Sequence, residues 1–234
     1  MPKAIKKKVT KPVKTEEGMM GIFSRVREVI AERQKLFFTV VVSLVILCLA
    51  AAGFFVYRSN LKGRAEALEY EGYKLYYGMY QKQPFQKEGR YQAALEKFRQ
   101  AYELRKSPYS LFYVANCYYD MGNYDEALKA LKELNERFPD DERFVPLTYY
   151  KMAVINLRKG DRETALKLLN TLSNYKTASF KDLALIESGR LLESMGQTGE
   201  ASKKYEEIIK NFPASPFVEE ARGKLSGKKT PEKS

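Results

Sequence analysis

The chain of 234 residues contains no histidine. That removes the commonest general base at neutral pH and the commonest metal ligand. Only two cysteines occur, Cys48 and Cys117, one inside an uncharged run and one far from it, so no disulfide framework is expected. There is no phosphate-cradling glycine loop, no nucleophile elbow and no metal-spaced cluster. Acidic pairs such as Glu133/Glu136 and Glu206/Glu207 fall at solvent-facing helical spacing, with i,i+4 partners such as Lys129–Glu133. No catalytic residue, cofactor or metal is therefore expected, and the chain does not read as an enzyme.

Charge is also missing from one place. Residues 36–57, LFFTVVVSLVILCLAAAGFFVY, carry none, and 14 of these 22 residues are Leu, Ile, Val or Phe. A helix this long, at about 1.5 Å per residue, spans a hydrocarbon core of roughly 30 Å. At roughly −0.4 kcal/mol for each large apolar residue, insertion is favoured by something on the order of 6 kcal/mol. Residues 36–57 are thus read as a transmembrane helix, with Cys48 an apolar wall residue. Ten Lys/Arg precede it, whereas only Arg58, Lys62 and Arg64 follow closely. The positive-inside rule then puts the N-terminus in the cytoplasm and the C-terminal region across the membrane. The 35 residues before the span exceed the n-region of a signal peptide, although Ala50-Ala51-Ala52 offers a small-residue cleavage site.

The net charge is +12, and residues 1–35 supply +6 of it, from ten basic and four acidic side chains. With half the excess in a short tail, nucleic acid is not an expected partner. Residues 1–18 are lysine-rich and expected to be disordered. Residues 19–35 place Met19, Ile22, Phe23, Val26, Val29 and Ile30 at helical spacing, which fits an amphipathic helix on the inner leaflet as well as a solvated topology signal.

Beyond residue 88 the sequence repeats itself. The segment MGNYDEALKALKELNERFP, 121–139, aligns with EGRYQAALEKFRQAYELRK, KGDRETALKLLNTLSNYKT and MGQTGEASKKYEEIIKNFP. Their glycines, Gly89, Gly122, Gly160 and Gly196, are separated by 33, 38 and 36 residues. Each shared position has a physical task. Glycine takes a positive φ at the turn. Ala94, Ala127, Ala165 and Ala201 let paired helices approach. The residue four places on, Phe98, Leu131, Leu169 or Tyr205, fills the space to the next pair. Pro139 and Pro213 end second helices. A lone helix pair exposes its apolar face, so pairs must stack.

This pattern resembles the tetratricopeptide repeat. Residues 108–141 carry it best, with Leu111, Val114, Ala115, Tyr118, Ala127, Leu131, Leu134 and Pro139. Repeats at about 146–179 and 182–215 follow, the former with Arg162 and Thr177 at two signature positions. The first repeat is degenerate, with Pro84 where its first helix should run. The fold expected is all-α, a tetratricopeptide-like α-solenoid of helical hairpins preceded by one transmembrane helix. The organisation read from the sequence is a basic cytoplasmic tail (1–35), the span (36–57), a linker helix with a degenerate first-repeat helix (58–88), a solenoid with a C-terminal capping helix (89–225) and a disordered tail (226–234). Within 58–82, Leu61, Ala65, Leu68, Gly72, Leu75 and Met79 form a heptad-like stripe. It serves either packing on the first repeat or self-association.

The resemblance implies a partner-binding concave face lined by first helices. Its residues here are Tyr109, Phe112, Tyr113, Asn116 and Tyr119, then Leu147, Tyr150, Lys151 and Arg158, then Leu183, Ile186 and Arg190. Tyr118 and Tyr149 are expected in the core. Asn116 matches one position of the family's carboxylate clamp, but Phe112 stands where the clamp has lysine, so no clamp is expected. The whole layout also resembles the ancillary subunit family of the bacterial Sec translocon. That resemblance implies a single-pass inner-membrane protein with a periplasmic domain, whose partners are translocon, chaperone or envelope proteins. Rival readings are an envelope-assembly or division factor acting through homo-oligomerisation, and an organellar import receptor.

Overall fold

Four turns in the chain share one backbone motif, and they set the frame of everything between them. In a computed structural model, residues 34–79 and 87–227 are described, together with Gly21, Arg27, Glu28 and Ala31, which are helical. The rest of the basic tail and of the 19–35 helix lies outside the described residues, as do Pro84 and residues 228–234. Among the described residues the chain forms nine helices and no strand. They are α1 (Gln34–Tyr77), α2 (Lys87–Leu104), α3 (Pro108–Asp120), α4 (Tyr124–Arg137), α5 (Val145–Arg158), α6 (Arg162–Ser173), α7 (Lys181–Ser194), α8 (Thr198–Asn211) and α9 (Val218–Ser226).

The shared motif closes α1, α3, α5 and α7. Gly78, Gly122, Gly160 and Gly196 adopt φ of +66°, +79°, +84° and +77°. At each, the glycine N–H donates to the carbonyl three residues back, and the next N–H donates five back: Gly122 to Tyr119 at 3.0 Å and Asn123 to Tyr118 at 2.8 Å. Gly78 and Met79 repeat this with Leu75 and Lys74 at 3.1 and 2.9 Å. These are Schellman caps, which satisfy terminal carbonyls only where the backbone can turn left-handed.

This corrects one reading of the sequence. Gly89 is no turn glycine; it lies in the first turn of α2. The turn of the first hairpin is at Gly78, and its first helix is the C-terminal part of α1. The stripe from Leu61 to Leu75 is accordingly the packing face of that helix: Ala65 and Gly72 are buried, and Leu61, Leu68 and Leu75 are half-buried. A Cβ on Gly72 would stand 3.0 Å from the Phe98 ring of α2.

Hairpins α1/α2, α3/α4, α5/α6 and α7/α8 stack in chain order, and α9 covers the last. The four frame alanines, Ala94, Ala127, Ala165 and Ala201, are all 0% exposed. Volume is exchanged across each pair. Where the second helix carries an aromatic, Phe98 or Tyr205, the first helix opposes it with Gly72 or Gly189. Where it carries Leu131 or Leu169, the first helix has Ala115 or Ala153 instead, and all four are buried. Local chemistry fixes the helix starts. Ser107 caps α3, its hydroxyl accepting from Ser110 N at 3.0 Å, and Asp161 caps α6 through Thr164 N at 3.0 Å. Pro108 and Pro146 occupy first-turn positions, where no donor is lost.

The N-terminal unit, up to Ser59, contains the apolar part of α1. Its most apolar 18-residue window has a mean hydropathy of 2.7, and none of that window is buried. Cys48 is exposed and Cys117 buried, both as free thiols.

Candidate protein-binding face

Residues 60–77 of α1, together with α3, α5 and α7, carry their non-core side chains on one face, and adjacent first helices touch through them. At the α1–α3 step the face is aromatic. Tyr113 stacks on Phe98 at 4.8 Å between centroids and lies 4.7 Å from Tyr109, 5.9 Å from Tyr73 and 5.6 Å from Tyr76. Its hydroxyl is 3.5 Å from that of Tyr77. Tyr109 and Phe112 reach the Phe144 ring at 6.1 and 5.4 Å. Such offset and edge-on pairs each add roughly 0.5–1.5 kcal/mol beyond area burial. Burial, with the Tyr77 hydroxyl beside it, raises the Tyr113 pKa well above the usual phenol range. Burial raises that of Tyr109 as well.

At the α3–α5 step the chemistry turns polar. Lys151 Nζ sits 4.5 Å over the Tyr119 ring. Burial lowers the Lys151 pKa, against the pull of Asp120. Asp120 in turn accepts from the Tyr76 hydroxyl of α1. At the α5–α7 step, Tyr150 feels the charges of Glu187 and Arg190, and burial raises its pKa. Arg190 donates from Nε and Nη2 to the two oxygens of Glu220 in α9 at 2.8 and 2.5 Å, and from Nη1 to Glu187 at 2.8 Å.

The sequence-derived set therefore separates. Tyr109, Phe112, Tyr113, Tyr119, Tyr150 and Lys151 are half-buried and linked along the face. Arg158 is exposed at the end of α5. Asn116 is 6% exposed, and its Oδ1 has no hydrogen-bond partner among the described residues. Arg190 is engaged as the clip of α9. Ile186, expected on the face, is instead 0% exposed in the core, because its side of α7 turns toward α8 and α9. Tyr118 and Tyr149, expected in the core, are half-buried against its edge. Glu133 pairs with Arg137 at 2.7 Å and accepts from Tyr102 at 2.9 Å, in place of the expected Lys129 pair. The segment read as a linker and degenerate first-repeat helix also supplies face residues that the expected set lacks: Glu66, Glu69, Tyr70, Tyr73, Tyr76 and Tyr77. The signal was present, a small residue six places before a turn glycine in Gly72–Gly78, against seven in Ala115–Gly122, Ala153–Gly160 and Gly189–Gly196.

The family model of the tetratricopeptide repeat-like domain matches residues 35–225. The chain belongs to that family. The match takes in the apolar part of α1 as well as every hairpin. Among solved structures, the tetratricopeptide chain is similar to MamA, at 20% identity over 60% of this chain and 80% of that one, with a TM-score of 0.47. A MamA RS-1 ArsTM double mutant is 14% identical over 65% and 77% of the two chains, with a TM-score of 0.50. The TPR2AB domain of yeast Sti1, in a complex with pHSP90, is 20% identical over 70% and 71%, with a TM-score of 0.42. At these identities the likeness concerns the fold alone. No curated protein sequence matches the chain. The tetratricopeptide fold points to a protein-interaction scaffold.

Proposed function

We propose that this tetratricopeptide protein is a membrane-anchored scaffold that holds a protein partner on its first-helix face. The observation that carries the reading is the aromatic run from Tyr73 through Tyr113 to Phe144, left half-buried along one side of four stacked hairpins. Tyrosine brings apolar area and a hydrogen bond at low entropic cost, which suits an interface. Residues 36–57 anchor the chain: they are exposed, uncharged and long enough to span a bilayer. The Lys/Arg excess before them favours a cytoplasmic N-terminus and hairpins on the far side, the periplasm of a bacterium. The resemblance in layout to the ancillary translocon subunits makes the Sec translocon or periplasmic chaperones the partners to test first.

A photo-crosslinker at Tyr113 or Tyr150 of the full chain in intact cells tests the face. Crosslinks to translocon or chaperone proteins, lost on Tyr109→Ala/Phe112→Ala, support the reading. Crosslinks that ignore these changes refute the face, and protease digestion of the hairpins from the cytoplasmic side refutes the topology. Crosslinks between copies of the chain would favour the homo-oligomeric envelope factor. Of the stripe that such association would use, Ala65 and Gly72 are buried and Leu61, Leu68 and Leu75 half-buried.

A further inference from the structure

One end of the face is acidic as well as aromatic. Glu66, Glu69, Tyr70, Tyr73 and Tyr109 line an open cleft of about 340 Å³ between α1 and α3. The two carboxylates differ. Glu66 is engaged by Arg105 at 3.5 Å and Lys62 at 3.7 Å. Glu69 is half-buried, and among the described residues no lysine or arginine pairs with it. Two buried hydroxyls hold it: Ser107 and Ser110 both donate to Oε1, at 2.6 and 2.5 Å. Those serines begin α3, so the carboxylate is fixed to the same element that supplies Tyr109. Its charge reaches the Tyr109 phenol, whose pKa burial raises, against the hydrogen bond with Tyr113 and with the Glu69 charge adding to the rise. The rings here also accept positive charge, since Lys74 Nζ lies 4.7 Å over Tyr70.

A fixed carboxylate without a countercharge, walled by three phenol rings, is complementary to a cation with an apolar stem. Electrostatic attraction to a half-buried carboxylate is stronger than to one in bulk water. We propose that the α1–α3 cleft binds a single cationic side chain, arginine or lysine, of a polypeptide seated on the face, with Glu69 as its counter-ion and Tyr70, Tyr73 and Tyr109 as its walls. The inference rests on the scaffold reading and names the chemistry the partner brings to that end.

The test uses the full chain in detergent micelles with ¹³C-labelled tyrosine rings. It is titrated with acetyl-Gly-Arg-Gly-amide and with the same peptide carrying citrulline, a neutral isostere of arginine. The arginine peptide is expected to shift the Tyr70, Tyr73 and Tyr109 resonances and to bind about fivefold tighter than the citrulline peptide. Glu69→Gln should bring the two affinities together. Tyr70→Leu, at a largely exposed position, should weaken the arginine peptide with the helical circular dichroism unchanged, and it decides the matter if Glu69→Gln does not fold. Equal affinities in the wild type, or a preference that survives Glu69→Gln, overturn the proposal. If partner crosslinks at Tyr113 persist while the arginine preference is absent, only this inference fails. If no partner crosslinks exist, the scaffold reading fails whatever the cleft does.

Discussion

Gly189 and Tyr205 compete for one space. A Cβ added at Gly189 would overlap the Tyr205 ring, and Tyr205 is 0% exposed, so the ring has nowhere to retreat. Gly189→Ala is expected to destabilise the protein by about 1–3 kcal/mol, as overpacking does. Tyr205→Leu alone leaves a void and also destabilises. The pair together reproduces the Ala/Leu combination of the Ala115–Leu131 hairpin, so the double variant should recover most of the loss. Chemical denaturation of all four proteins measures the coupling, and additive effects would refute the volume exchange. A second residue-scale expectation concerns alkali. Burial, aided by the hydrogen bond to Glu133, pushes the Tyr102 pKa up to about 12. The folded state then keeps a proton that the unfolded chain releases above about pH 10. The contribution of Tyr102 to stability is therefore level below that pH and falls as pH rises above it. Tyr102→Phe should flatten part of the fall in denaturation midpoints measured between pH 9 and 12.

At the scale of the element, the second helices were easiest to read. Ala, a bulky residue four places later, and a closing proline or cap leave a pattern that burial alone explains. Gly122, Gly160 and Gly196 were legible for a backbone reason, since only glycine takes the left-handed cap without strain. The first hairpin was misread because its turn is followed by an enlarged connection. That insertion put Gly89 near the spacing of the other repeats while the true cap, Gly78, fell out of register. Residues 58–88 read as a linker helix with a degenerate first-repeat helix, but with the turn set at Gly89 none of the α1 residues from Glu66 to Tyr77 fell on the expected face. Arg190 shows the other limit. Its position on the face follows from helical spacing, but its bidentate bond to Glu220 depends on where α9 docks, which no local pattern encodes. Arg190→Gln should loosen α9 rather than the hairpins. The pair is partly exposed, so the cost is expected near the upper end for surface pairs, about 1 kcal/mol. Amide exchange should speed up in α9 and the end of α8, with α3–α6 unchanged.

At the scale of the whole molecule, two kinds of stability meet in one chain. The hairpins form a stack in which each pair buries the apolar side of the one before it, so stability depends on neighbours and on a closed end. Val218 and Ala221 of α9 supply that end, at 6% and 0% exposure over the Leu185, Ile186 and Ile208 cluster. Removing α9 should cost at least about 2 kcal/mol by the area it uncovers, and the loss should appear first in α7 and α8. The apolar part of α1 obeys a different rule. Its side chains from Leu36 to Tyr57 are exposed, with Phe55 at 75% and Leu49 at 68%. In water that surface favours aggregation; in a bilayer it favours insertion. Among the described residues, the buried apolar side chains, from Ala65 to Ala221, all lie in the hairpin unit beginning at Asn60. A fragment from Asn60 onward should therefore stay in the aqueous phase of a detergent partition and keep its helical signal, while the full chain moves into the detergent phase. If the full chain stayed in water, the span would have to be abandoned. If the fragment lost its helical signal, the hairpins would depend on the residues before Asn60 for folding.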